Sequence, residues 1–298
     1  MSRRGALLFA AMCVIWGIPY LLIKVAVDDM SPSVLVLGRT AVATLLLLPI
    51  ALVRNELRPL LPYWLPVVAF AAIEIAIPWV LLGAAETEIS SSLTGLLIAM
   101  VPLVATVIAL TTGSRDRPGS QTWLGLGLGM VGVAAIVGVN LEGASVVPIL
   151  QVFLVAVCYA VGPAILQRWL SHLPALGVIT ASLALTAVAY VPIAAFNLPS
   201  ETPSGPAIAS VVALAVVCTA LAFLLFFALI AEVGPVRATV ITYVNPAVAA
   251  VLGVVILDEH FTVAMGIGFA FVLAGSVLAT RTRPEPKASR TPALEAAP

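Results

Sequence analysis

The sequence predicts an all-α integral membrane protein, with ten transmembrane helices arranged as two inverted-topology five-helix repeats. Three observations carry that prediction. The chain is too apolar for water, its charges alternate in sign from loop to loop, and its second half repeats the pattern of the first. Of the 298 residues, 62% are hydrophobic and 9% are charged. Mean hydropathy is +1.16. A soluble domain carries about 25% charged residues, because its surface needs a polar coat. Here there is not enough polar surface to make one, so the solvent is lipid.

The spans follow in order from runs of about 20 apolar residues, the length that crosses the hydrocarbon core. Arg3 and Arg4 precede span 1 (6–27), and Asp28 and Asp29 follow it. That run is too long for the apolar part of a signal peptide and contains no small-residue cleavage site, so it reads as an uncleaved helix. Span 2 (33–53) exits into Arg54 and Arg58, and span 3 (64–84) into Glu86 and Glu88. Span 4 (90–111) leads to Arg115 and Arg117, and span 5 (121–140) to Glu142. Arg168 ends span 6 (146–168), Glu201 follows span 7 (174–196), and after span 8 (206–231) Arg237 begins span 9. Asp258 and Glu259 close span 9 (235–257). Arg281, Arg283, Lys287 and Arg290 follow span 10 (261–281), on a Pro- and Ala-rich tail, 284–298, that reads as disordered. All the basic residues except Lys24 and Arg39, which belong to spans, fall on one side, and the acids just named fall on the other. The positive-inside rule then puts both termini in the cytoplasm of a bacterial-type inner membrane.

The halves repeat at an offset of 144 residues. "LPVVAFAAIEIAIPW" from Leu65 faces "ASVVALAVVCTALAF" from Ala209, and Pro102 faces Pro246. One residue of slip aligns Gly125 and Gly132 with Gly268 and Gly275. Each half holds five spans, and five is odd, so the second half enters the membrane in the opposite sense. The expected units are 1–140 and 146–283. Inverted repeats are characteristic of transporters whose site lies near the midplane between the halves.

"IWGIPYLLIKVAVDDMSP" with Leu37-Gly38-Arg39, "SSSLTGLLIAMVPLVATVIAL", and "NPAVAAVLGVVILDEHFT" with Gly266 to Gly275 resemble EamA-family members of the drug/metabolite transporter superfamily. The resemblance covers the chain except its tail. It implies a central cavity lined chiefly by spans 1, 3, 4, 6, 8 and 9, and a carrier, usually an exporter, of small metabolites such as amino acids. The family's acidic residue after span 9 is matched by Glu259, whereas the place after span 4 holds Ser114 and Arg115. Glu259 is therefore expected to serve a helix end rather than a symmetric site.

Glu74 is the residue that most needs explaining. It lies about ten residues into span 3, near 15 Å deep at about 1.5 Å per residue. An ionisable group there faces a cavity or a partner. Three roles stay open: a proton-coupling or substrate-ammonium site, a structural pair, or a polar residue beside a wet cavity. Its counterpart at an offset of 144 is Cys218. Arg39 in span 2 is the evident partner, and its forked donors would also suit a substrate carboxylate. Lys24 reads as a snorkelling residue or a lure at the mouth. Trp16, Tyr20, Trp79, Tyr159, Phe223 and Tyr243 lie on the helices that the resemblance places at the cavity, and either line it or pack. Pro19, Pro78, Pro102, Pro163 and Pro246 interrupt helices. They are hinge candidates, the repeat-matched Pro102 and Pro246 above all. Asn245 is placed to pair with freed carbonyls or with substrate.

The remaining motifs subtract functions. Gly127 to Gly132 matches GxGxxG but lies inside span 5 with no strand before it; Gly125 and Gly129 read instead as a helix-packing pair. Cys13, Cys158 and Cys218 lie in apolar runs. His172 and His260 lie at opposite sides of the membrane, so no metal site uses both. No hydrolase or ATP-binding motif is present, no cofactor is expected, and zero formal charge suggests no nucleic-acid partner. The expected partners are a small-molecule substrate and the lipid bilayer, with protons as an open coupling ion and a monomer or weak oligomer as the working unit. An efflux carrier of hydrophobic or cationic drugs is the alternative, and a non-transport membrane protein the more remote one.

Overall fold

A computed structural model describes residues 2–112, 119–140 and 145–280. Arg115, Arg117, Glu142, Arg281, Arg283, Lys287, Arg290 and the 284–298 tail lie outside the described residues. Every element among the described residues is helical. Nine helices among the described residues are long and apolar enough to cross a membrane: Arg3–Val27, Pro32–Val53, Arg58–Glu86, Ser91–Thr111, Ser120–Gly138, Val147–Leu170, Ala175–Ala195, Gly205–Val233 and Val263–Thr280. These are spans 1 to 8 and 10. Span 9 is built in pieces, Pro235–Ala238, Thr239–Tyr243 and Asn245–Leu257. The ten-helix membrane fold read from the sequence is the fold of the chain.

Helix starts follow local chemistry. Ser2, Ser31, Ser90 and Ser204 are N-caps whose hydroxyls accept from main-chain N–H groups of the first turn. Pro32 and Pro206 stand in the first turn, where a missing N–H costs nothing. Gly234, at φ +82°, turns the chain between spans 8 and 9.

Several spans are not continuous α-helices. Span 1 breaks between Ile15 and Pro19, and span 4 between Ile98 and Val101. Pro102 and Pro246 both open the second half of a broken span. Spans 3 and 8 instead carry π-helical turns, Ala71–Ala76 and Val216–Leu221. Spans 4 and 9 both break just before a proline, Pro102 and Pro246, and spans 3 and 8 each carry a π turn. Pro163 differs, lying inside the helix Val147–Ile165.

The tightest seam joins spans 5 and 10. A Cβ on Gly125 would meet the main chain of Gly275 at 2.6 Å, and one on Gly132 would meet that of Gly268 at 2.5 Å. In the repeat alignment Gly125 corresponds to Gly268 and Gly132 to Gly275. Under that alignment the two contacts are reciprocal. Gly127 has nothing within 4 Å of its Cβ position.

Candidate functional site

The two π turns bring the site together. A π turn holds one residue more than an α turn, so it shifts the register of everything beyond it. Superposing Ala71–Ala76 on Val216–Leu221 pairs Glu74 with Thr219, one residue beyond Cys218. That corrects the sequence alignment at this point. Thr219 is fully buried and donates to Leu214 O at 2.8 Å, and Arg39 Nε donates to Thr219 Oγ1 at 2.9 Å. The buried Arg39 thus binds the residue that occupies, in the other half, the place of Glu74.

The Arg39 guanidinium also lies over Trp79, 3.6 Å from the ring centroid. A desolvated cation on an indole face gains about 2 kcal/mol. Arg39 and Glu74 form no ion pair in this conformation; the only ion pair among the described residues joins Arg54 and Glu56. Arg39 is held from the side of spans 3 and 8, by Trp79 and Thr219, and not by the carboxylate.

Glu74 is half-buried, and its Oε2 is buried without a hydrogen-bond partner among the described residues. The carboxylate rests against Gly162 of span 6, where any Cβ would overlap it. Tyr159, one turn before Gly162, has Glu74, Arg39 and Trp79 as neighbours. Tyr20 of span 1 is buried and lies near Tyr159 and Arg39. Arg39, Glu74, Trp79, Tyr159 and Tyr20 therefore form one group, contributed by spans 1, 2, 3 and 6.

A second group is aromatic. Trp16, at the break of span 1, has its ring centroid 5.9 Å from Phe223 and 4.7 Å from Phe226. Phe223 stacks on Phe227 at 6.2 Å. Tyr243 stands apart from both groups. Its hydroxyl lies 3.3 Å from Thr280 Oγ1 on span 10.

The breaks free carbonyls, and neighbouring side chains take them up. In span 1, Gly17 N–H goes to Val14 O, which leaves Cys13 O without its usual α-helical donor. With its amide oriented to satisfy both acceptors, Asn245 donates to Cys13 O at 3.0 Å and to Ile241 O at 2.9 Å. In span 4, Leu103 N–H goes to Met100 O, and Ser276 Oγ donates to the orphaned Ala99 O at 3.3 Å. Tyr190 donates to Ala76 O at 2.8 Å, in the turn just before Pro78. Pro19, Pro102 and Pro246 mark breaks whose strands of backbone are stapled to a neighbouring helix or sit in its first turn.

Two further residues behave as their sequence suggested or resolve an alternative. Glu259 accepts from the N–H groups of Ser91 and Ser92 at 2.7 and 2.8 Å, at the start of span 4. It serves a helix end. Lys24 does not reach for headgroups; its Nζ donates to the main-chain oxygen of Glu86 at 2.6 Å. Among the described residues no group of three or more His, Cys, Asp or Glu side chains could hold a metal ion.

Thr219, Phe226 and Ser276 were not singled out in the sequence, and Gly162 was read only with Pro163 as an interruption of span 6. Thr219 looks apolar enough to pass in its run.

Known proteins match over the whole of this architecture. Residues 3–138 and 146–281 each match the model of the EamA-like transporter family. The uncharacterized inner membrane transporter YedA of Escherichia coli strain K12 is 27% identical over 276 residues, which covers 91% of this chain and 88% of its own. The uncharacterized transporter YvbV of Bacillus subtilis strain 168 is 25% identical over 282 residues, 93% of this chain and 92% of its own. A solved crystal structure at 20% identity is similar with a TM-score of 0.67, over 93% of this chain and 96% of that one. At that identity the likeness concerns the fold.

Proposed function

The chain belongs to the EamA-like transporter family, and on that premise we propose that it is a secondary exporter of small metabolites, amino acids foremost, working by alternating access. One observation carries the substrate class. Arg39 and Glu74 neighbour Tyr159 together yet do not pair, and Glu74 Oε2 is buried without a hydrogen-bond partner among the described residues. A zwitterion brings the complement of both, a carboxylate for the guanidinium and an ammonium for the carboxylate. Trp79 and Tyr159 supply apolar walls beside them. Arg39 and Glu74 are then the charge-bearing contacts. Trp16, Tyr20, Trp79, Tyr159 and Phe223 line the cavity in this reading, whereas Tyr243 lies against Thr280 of span 10 and Asn245 gives its amide to Cys13 O and Ile241 O.

Alternation follows from two inverted halves with units at 1–140 and 146–283. The reciprocal glycine seam between spans 5 and 10 supports that symmetry, as does the separate family match of each half. The matched breaks at Pro102 and Pro246 supply hinges, joined by Pro19 in span 1, Pro78 after the π turn and Pro163 in span 6. The basic end faces the cytoplasm with both termini, in the inner membrane, by the charge rule. The energy comes from a gradient, since no ATP motif exists, and the carrier works as a monomer or weak oligomer without a cofactor.

A second reading is favoured by the rings of Trp16, Phe223, Phe226 and Phe227 together with the unpartnered Glu74. Those suit a hydrophobic cation. Uptake into proteoliposomes by a panel of amino acids, with and without a pH gradient, tests the first reading; flux for none of them ends it. Glu74→Gln separates the two. Loss of resistance to cationic drugs with amino-acid export retained would favour the second.

A further inference from the structure

We infer that Glu86 is a proton-binding site built into the seal at the acidic end of the bundle, separate from Glu74, and that its proton holds that end shut. The inference rests on the alternating-access reading and adds a gate to it.

The seal is the packing of span 4 on span 9. Gly95 sits against Ala249, where a Cβ would meet it at 2.6 Å, and Gly253 sits against Ser91, Ser92 and Glu259. Glu259 bridges back to the first turn of span 4 through Ser91 and Ser92. Beside this closure, at the end of span 3, Glu86 is fully buried. Among the described residues, both of its carboxyl oxygens lack a hydrogen-bond partner, and so does the buried Ser91 Oγ.

The charged groups facing Glu86 are Lys24 from span 1 and Glu259 from the end of span 9. Tyr20 of span 1 also lies near. Span 6, which packs on span 3, carries no charged residue in Val147–Ile165. The one charged residue of span 2 within Pro32–Val53 is Arg39, held by Trp79 and Thr219. Lys24 gives its short contact to the Glu86 main chain and not to the carboxyl. The two acids therefore divide. Glu259 has main-chain donors and a helix N-terminus, which suit a charge. Glu86 has neither, and a buried carboxylate without donors is costly. The closed seal accommodates Glu86 in its protonated form. Opening admits water, which solvates the carboxylate and releases the proton to the outside. External acid then favours the closed state and external alkali the open one.

The test uses the full chain in intact cells, with Cys13, Cys158 and Cys218 replaced by Ala and a membrane-impermeant maleimide outside. Thr94→Cys reports on the seal, since Thr94 is fully buried in span 4. Glu88→Cys, in the exposed loop next to Glu86, controls for side and for the pH dependence of the chemistry. The ratio of the two rates is expected to rise several-fold between about pH 5.5 and about pH 8.5 outside, as a titrating gate requires. With Glu86→Gln added, the ratio should stay low at every pH. With Lys24→Met it should still rise, but at higher pH, because a neighbouring positive charge that favours the carboxylate is gone. This second variant keeps the test decisive where Glu86→Gln does not accumulate. An unchanged pH dependence in Glu86→Gln, an unmoved midpoint in Lys24→Met, or a ratio that follows external sodium at fixed pH would overturn the proposal. Absence of flux for any amino acid would strike the substrate reading and leave this ratio unaffected. Absence of Glu88→Cys labelling would overturn the orientation, and this gate with it.

Discussion

Gly162 shows how much one hydrogen atom decides. Glu74 occupies the space a Cβ would fill, so Gly162→Ala must displace the carboxylate or part spans 3 and 6. Overpacking of this kind costs about 1–3 kcal/mol. Gly162→Ala should lower the unfolding temperature in detergent, and Glu74→Asp, shorter by one methylene, should recover part of the loss in the double variant. Additive losses would mean that the two residues do not compete for that space. Asp29 gives a simpler electrostatic case outside the membrane. Hydrogen bonds from the Ser204 side chain and main chain hold its carboxyl below the ordinary carboxylate range. The ionised form is thus favoured by folding, so the stabilisation exists above the unfolded value and disappears as pH falls through the folded one. Ser204→Ala removes the side-chain donor and keeps the main-chain one. Carboxyl carbon NMR should therefore find Asp29 titrating at higher pH than in the parent, still short of the free value.

At the scale of elements, the helix seams separate glycines that matter from one that does not. Gly275→Ala would drive a Cβ to 2.5 Å from Gly129 N, main chain against main chain, where no rotamer change can help. It should reduce accumulation of folded protein sharply, while Gly127→Ala, facing open space, should change little; thermal denaturation of the two in parallel checks this. The contrast also disposes of the GxGxxG match, whose first glycine is idle while Gly129 and Gly132 pack. This level of the fold was well marked in the sequence. Twenty apolar residues bounded by charge announce a span, and glycines four apart announce a close contact, because both signals are local. The π turns were not marked, since α and π backbones ask for the same residue types and differ only in where one extra residue is placed. The turns start at Ala71 and Val216, an offset of 145, which sets Glu74 opposite Thr219 rather than Cys218, and Thr219 is a partner for Arg39 that no charge count could name. The Arg39–Glu74 pair was inferred from charge alone, whereas the indole face and the hydroxyl that hold Arg39 carry no charge. Asn245 was legible because a polar amide beside Pro246 has few other uses. Asn245→Ala leaves Cys13 O and Ile241 O without that donor, at about 1–3 kcal/mol for a buried unsatisfied group. It should loosen the contact between spans 1 and 9, which faster hydrogen exchange at residues 12–18 and 241–248 would report.

The whole molecule is asymmetric where its architecture is most symmetric. Spans 4 and 9 break at matched prolines, yet their acidic halves carry a latch that the sequence does not repeat. Glu259 binds the start of span 4 with two main-chain donors and the Ser92 hydroxyl, whereas the equivalent of Glu259 after span 4 is Ser114 or Arg115. In the proposed alternating-access cycle, exchange between the two end states starts from unequal wells, and the latch adds depth to the one closed at the acidic end. A latch of this kind is worth about 1–3 kcal/mol for hydrogen bonds to a charged group. Each 1.4 kcal/mol is about tenfold in the ratio of states. Glu259→Ala should shift the population toward the form open at the acidic end by about tenfold. Substrate binding measured from the acidic side should tighten and binding from the basic side should weaken. Exchange of labelled for unlabelled substrate should persist, because the hinges and the Arg39–Glu74 group are untouched. Equal weakening from both sides would show that Glu259 supports the fold of span 4 alone and leaves the balance between the two states unchanged.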